Sequence, residues 1–447
     1  MNTAKKIACF LIAAAMFTGF AACGKKQELT SSETTTETAA EAAAASSEED
    51  DSEEDDESDD DAPIDLDKVS VKGKETTAPK ATTATAVTTA VTTAASGATT
   101  AATTAKAGST TQKAGQTDAK QTETQAMTDP APENDAPPEE KTVSGVIDLG
   151  SGSFEGEGIT VDGGTVRITG SGTYILSGSR SGMVEVNTTA KVKLKLNGVN
   201  ISNPDGPAIL CTDAKRLTIT LIEGTYNELN DGGGAHDGTI TSNDTLEIKG
   251  AGTLRVNGNV GHGISSDDDI VIKNGDITVN AVKSGLMAND DITVSGGTLH
   301  ITGQTNGMKS KGTLHIEGGS MWIYGGPKEN KSSLFSGGPF TITGGSIYAL
   351  GCGVTEPDGS SSQCGIAVRY NPGQEGGTAA SLNLNGNQIM WESSPYAFNT
   401  LFVSTPDIHE GNTFTAYING EQYGDEYTVN GVAASASVEK KVEEPEE

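Results

Sequence analysis

The chain has 447 residues, of which 34% are hydrophobic and only 4% aromatic, with 56 glycines and a formal charge of −31 at pH 7. An acidic balance of that size argues against nucleic acid and anionic membrane surfaces as electrostatic partners. Cysteine is sparse, five in all.

At the N-terminus, Lys5 and Lys6 precede the apolar run Ile7–Phe20, which ends in Phe20-Ala21-Ala22-Cys23. A basic start, a short apolar core and small residues before a cleavage point form an export signal, here 1–22, too short to span stably. A Cys directly after those small residues is the acceptor of lipoprotein maturation, so Cys23 is expected to carry lipid and become the new N-terminus. An ordinary cleaved signal with an incidental Cys is the alternative. Two or more acyl chains make such an anchor stable. The protein is then expected on the extracellular face of the bacterial membrane, touching the bilayer through lipid only.

Residues 23–142 contain almost no large apolar side chain. One block is acidic (SSEEDDSEEDDESDDDAPIDLD) and another is Thr/Ala-rich (TTAPKATTATAVTTAVTTAASGATTAATTA). Neither buries enough apolar surface to offset chain entropy, so both are expected to be disordered. As a random coil the segment reaches roughly 60 Å, and charge repulsion extends it. It reads as a spacer between an anchor and a head.

The head repeats. Units begin GTITSNDTLEIKGAGTLRV, GISSDDDIVIKNGDITV, GLMANDDITVSGGTLHI and GMKSKGTLHIEGGSMWI, and SGGPFTITGGSIYA ends the series. Leu246, Ile270, Ile292 and Leu314 occupy equivalent places 24, 22 and 22 residues apart. A fixed period near 22 signals a solenoid. Within each unit the apolar period is two, rich in Ile, Val and Thr, so the elements are strands. Three short strands and three turns fill one coil, which makes the head an all-β, right-handed parallel β-helix over 143–378. Leu246, Ile270, Ile292, Leu314 and Phe340 should form one inward stack, and Leu254, Ile277, Leu299, Met321 and Ile347 another. Gly296-Gly297, Gly318-Gly319 and Gly344-Gly345 fall between strands, where a sharp turn asks for positive φ. Residues 379–435 read as a small β cap over the open end, and 436–447 as a disordered tail. The head is expected to be a monomer. Cys352 and Cys364, twelve apart in a Gly/Ser-rich loop, could pair in an oxidising compartment or stay reduced.

The runs GTYILSG, LNGVNISNPDGPAI, the units with Gly-Ile/Leu-x-x-x-Asp-Asp-Ile, and GGSIYALGCGVTEPDGSSSQ resemble the clostridial cell-surface carbohydrate-binding β-helix family. The resemblance covers most of Val143–Asn430. It implies a fold shared with family 9 polysaccharide lyases, binding of acidic plant polysaccharides such as polygalacturonate, and calcium held on the helix. In that family an Asp pair of this kind holds the calcium, which falls here on Asp268, Asp269, Asp290 and Asp291. The usual Asp before Gly stands at Asp205 and Asp237 but gives way to His262, Ser284 and Asn306, which implies fewer or altered sites.

Two constellations carry chemistry. Asp267, Asp268 and Asp269 align with Asn289, Asp290 and Asp291 one unit on, and with Asn243 and Asp244 one unit before, forming acidic columns at a turn. Stacked carboxylates repel by roughly 3 kcal/mol per pair at an effective dielectric near 20. Either calcium, which takes six to eight oxygens, neutralises them, or they form a solvated edge. The second constellation is His300, Trp322 and Tyr348, aligned as an outward column. It reads either as a platform for sugar rings or as a ladder covered by the insertion Lys328–Ser333 or by the C-terminal strands. Lys309 and Lys311 align with Ser265 and Asp267 and could pair with the Asp columns or receive a uronate carboxylate.

Three functions follow in order of support. The first is non-catalytic, calcium-dependent binding of a uronate-type, pectin-like polysaccharide. A polysaccharide lyase on the same fold comes next, with Lys309 or Lys311 as the base beside calcium. An adhesin or structural surface protein is third.

Overall fold

The structure, a computed structural model, describes residue 64, residues 66–72 and residues 141–440 apart from 329. The signal segment, Cys23 and most of the linker lie outside the described residues. The head is a parallel β-helix, as the 22-residue period requires. Its first face is a nine-stranded sheet that includes Gly238–Ser242, His262–Ser266, Leu286–Ala288, Met308–Ser310 and Leu334–Ser336. The second face stacks Leu246–Gly250, Ile270–Ile272, Ile292–Val294, Leu314–Ile316 and Phe340–Ile342. The third stacks Thr253–Gly258, Asp276–Ala281, Thr298–Gly303, Ser320–Tyr324 and Ser346–Gly351.

Each inward residue lies over its own equivalent. Leu246, Ile270, Ile292, Leu314 and Phe340 pair in register down the second face, and Leu254, Ile277, Leu299, Met321 and Ile347 down the third. All ten are at most 1% exposed, as are Ile240, Ile264, Leu286, Met308 and Leu334 on the first face. Full burial of one such side chain stabilises by about 1.5–3 kcal/mol. Between the second and third faces Gly297, Gly319 and Gly345 hold φ of +93°, +87° and +86°. A Cβ on Gly319 would also come within 2.8 Å of the Gly297 carbonyl, so the turn requires Gly twice over.

Several buried polar side chains inside the coil are tied into hydrogen bonds, whereas Thr220 Oγ1, Thr313 Oγ1 and His236 Nδ1 have no partner among the described residues. Asn227, fully buried, accepts from the Val199 N–H and donates to the Thr253 carbonyl and Thr225 Oγ1. The buried Asp231 carboxylate receives the N–H groups of Asn259, Val260 and Gly261 and contacts His236 Nε2 at 3.0 Å. These bonds tie one coil to the next, which is why polar side chains can occupy the interior.

Antiparallel pairing ends the stack. Ser346–Gly351 meets Phe398–Ser404, which pairs with Gly365–Gln374, and Ala433–Val438 adds to that strand in parallel. A four-stranded sheet, ordered Asn387–Ser393, Ala379–Leu384, Thr413–Ile418, Glu421–Thr428, packs beside them over a second core. The cap therefore begins at Gly365, earlier than residue 379, and its last strand runs past 436 into the expected tail. Small side chains hide that strand in the sequence, yet Ala434, Ala436 and Val438 are buried. The expected linker also contributes structure: Val69–Val71 pairs in parallel with Lys141–Val143. Cys352 and Cys364 are not bridged. Cys352 Sγ faces the Ala397 carbonyl at 3.7 Å, whereas Cys364 packs on the second core.

Leu299→Ala should lower the unfolding free energy by about 2–5 kcal/mol, read by urea denaturation. Thr302→Ala, outward on the same strand, should change it by about 0.5 kcal/mol or less.

Candidate functional site

The turn between the first and second faces sets the acidic edge. Register along the second face stacks Asn243, Asp267, Asn289 and Lys311 in one column and Asp244, Asp268, Asp290 and Gly312 in the next. Thr245, Asp269, Asp291 and Thr313 form the third. The columns do different work. Asp269 Oδ1 accepts the Asp291 N–H at 3.0 Å and Asp291 Oδ1 accepts the Thr313 N–H at 2.6 Å, so these two carboxylates fasten successive coils. Asp267 Oδ1 takes a bond from Asn289 Nδ2 at 2.7 Å, and Asp244 Oδ2 takes the Ala214 N–H at 2.8 Å. Asp268 and Asp290 remain, and among the described residues neither carboxylate accepts a hydrogen bond.

Asp268 sits mid-column. Partial burial, followed by the charges of Asp244, Asp290, Asp269 and Asp267, raises its carboxyl above the usual range. Hard, crowded oxygens suit calcium. Among the described residues, however, no group of three or more His, Cys, Asp or Glu side chains converges on a metal-sized point. The described residues form no closed metal cage, while Asp268 and Asp290 keep their carboxylate oxygens uncommitted. Asp269 and Asp291, which the family resemblance implies as ligands, each have one oxygen committed to the backbone.

The outer side of the first face carries one lysine, and others approach it from the adjoining turns. Lys309 lies in register between Met287 and Phe335, with its Nζ 5.6 Å from the Phe335 ring centroid. Burial, then the neighbouring Lys331 and Lys311, hold its ammonium below the ordinary lysine range. On the same side His262 is pushed down to about 4, first by burial and then by the charge of Lys283, with Lys309 adding a smaller push. Its Nδ1 accepts the Ser284 N–H. Lys283, Lys309, Lys311 and Lys331 thus gather four positive charges on an acidic chain. Lys283 and Lys331 escape sequence reasoning because they sit in turns outside the repeating strands.

The aromatic column is a ladder and not a platform. His300 and Trp322 stack at 4.6 Å and 8°, and Trp322 and Tyr348 at 5.7 Å and 25°. Ring faces spent on one another are not offered to a sugar. The C-terminal hairpin also leans on the column: Glu392 accepts from Trp322 Nε1 and from the Tyr324 hydroxyl, both at 3.0 Å. Tyr348 packs against the second core. Pairing of Gly238 with His262 shifts another alignment, since Asp237 lies opposite Gly261 and not opposite His262.

A coiled stack of short parallel strands with charged residues ranked along its outside defines a β-solenoid that presents an extended surface. A family model described as carbohydrate-binding domain-containing protein matches residues 162–400, more than half of the chain, and the protein belongs to that family. A carbohydrate-binding domain-containing protein of Acetivibrio thermocellus is 34% identical over 137 residues, 28% of this chain and 48% of the relative. The chain thus spans about half the length of that curated relative. The solved structure of a polysaccharide lyase-like protein from C. thermocellum, a gadolinium derivative, is 26% identical with a TM-score of 0.41, covering 47% of this chain and 92% of that one.

The raised Asp268 binds its proton more tightly in the folded state, so its charge costs stability as pH rises through its titration. Asp268→Asn should therefore raise the calcium-free Tm at pH 7 by about 1–2 °C. The gain should vanish near pH 3, where the aspartate is protonated; thermal melts at both pH values in EGTA check it.

Proposed function

We propose that this protein binds an acidic, uronate-type polysaccharide on the outside of the bacterial cell without cleaving it. The lysine cluster carries the reading. Like charges crowded together, one of them pushed toward neutrality, are relieved by an anionic polymer far better than by a neutral one. Phe335 beside Lys309 adds an apolar edge for the sugar body. Asp268 and Asp290 are the proposed partners of a calcium ion whose remaining oxygens come from water and uronate, joining two surfaces that would otherwise repel. Cys23 supplies the proposed lipid anchor and residues 24–142 the reach.

Lys309→Ala with Lys331→Ala should weaken polygalacturonate binding about tenfold or more at low salt, and added salt should erase the difference. Isothermal titration reads it, with EGTA expected to weaken the unaltered protein. Equal affinity of the two proteins at low salt, together with no effect of EGTA, would remove both the lysine face and the shared cation.

One observation favours a second reading, cleavage by a lyase: the depressed ammonium of Lys309 is the kind of group that abstracts a proton near neutral pH. Binding alone predicts no growth of ultraviolet absorbance from unsaturated uronate during incubation with polymer and calcium. Growth of that signal, lost in Lys309→Ala, would establish the enzyme. Separately, Cys23→Ser should shift the protein from the membrane fraction to the medium, as read by fractionation and blotting.

A further inference from the structure

The four-stranded cap sheet has an outer side that neither charged constellation uses. Register places Trp391, Ser381, Tyr417 and Gln422 in one row across its four strands. The opposite side of the same strands buries Met390, Leu382, Ala416 and Tyr423 in the second core. Trp391 is 51% exposed on the edge strand, while Ser381 is 3% exposed although it points outward. Ser381 is thus the small floor between two aromatic neighbours. Those neighbours are two strand spacings apart, roughly 10 Å, a span comparable to two sugar residues.

Polar groups accompany the rings. Thr415 Oγ1 donates to the Tyr417 hydroxyl at 3.3 Å, and Asn383 lies opposite Thr415 in the next outward row. The bonds from Trp322 and Tyr324 to Glu392 fasten the edge strand from below, next to Trp391 in the chain. The row contains no carboxylate, lysine or arginine, on a chain of charge −31. A lone exposed apolar residue is ordinary on a protein surface. A Trp and a Tyr in register on a fixed sheet, with hydroxyl and amide groups between and beside them, have the make-up of a sugar contact: flat apolar faces with a few placed polar atoms.

We infer that this row is a second polysaccharide contact, on which the apolar faces of pyranose rings stack over Trp391 and Tyr417 whatever the charge of the polymer. The inference rests on the polysaccharide-binding reading but not on the lysine face. One polymer engaging both sites gains from effective concentration without any further contact.

The test uses the full chain with two probes, polygalacturonate and its methyl-esterified form. The chain has two tryptophans, so Trp322→Phe leaves Trp391 as the sole indole. Addition of either polymer should quench or shift its emission, and Trp391→Ala should weaken binding of both polymers about tenfold. Trp391→Phe should recover part of that loss. Lys309→Ala with Lys331→Ala should weaken only the unesterified polymer. An unchanged emission with both polymers would overturn the inference even if Trp391→Ala failed to fold. Emission that responds while the lysine variants bind normally would sink the lysine face and leave the cap contact standing.

Discussion

Every strand in this solenoid hydrogen-bonds to its own copy one coil away, so each side chain meets its own equivalent about 4.8 Å above and below. That constraint sorts residues by how well they tolerate themselves. Ile on Ile and Leu on Ile gain from it, and fifteen such positions on three faces form one continuous core. Aromatic rings gain too, as His300, Trp322 and Tyr348 show by stacking. Carboxylates and ammonium groups lose, and wherever they persist in columns the fold carries unresolved repulsion. The acidic constellation is of that kind, whereas the lysines meet from turns and from different columns. Some of the strain is converted into structure, since Asp269 and Asp291 bond to the backbone of the next coil. Asp268 and the lysines around Lys309 keep theirs.

A stack that repeats must also stop. The C-terminal strands end it by reversing direction, because an antiparallel strand presents a different hydrogen-bond pattern from the one the coils propagate. The reversal brings Glu392 against Trp322 and Tyr324, so the cap closes the edge and covers the Trp322 end of the aromatic column, with His300 left exposed. Covering the column from outside leaves the acidic edge, the lysine face and the cap's own outer row as surfaces with chemistry to offer.

Much of this was legible in the residues, for a physical reason. A two-residue apolar period inside a 22-residue repeat has few solutions, and the inward stacks, the glycine turns and the Asp columns follow from alignment alone. Alternation tells inward from outward but is silent on what lies over the outward side, hence His300, Trp322 and Tyr348 read equally as an open platform or as a covered ladder. Ala433–Val438 escaped because AASASV has the pattern of a strand without the bulk of one. Lys331 and Lys283 escaped because turns carry no period. Asp231, buried and bonded to three consecutive N–H groups, sits in a Gly-rich loop whose composition suggests surface.

The pairing of Val69–Val71 with Lys141–Val143 has a mechanical side. Tension applied to the chain ahead of residue 66 arrives at this three-residue ladder before it reaches any coil. So short a ladder lets go at lower force than coils whose strands are held by neighbours on both sides. These three residue pairs are the first described part of the fold to meet a pull from the N-terminal side.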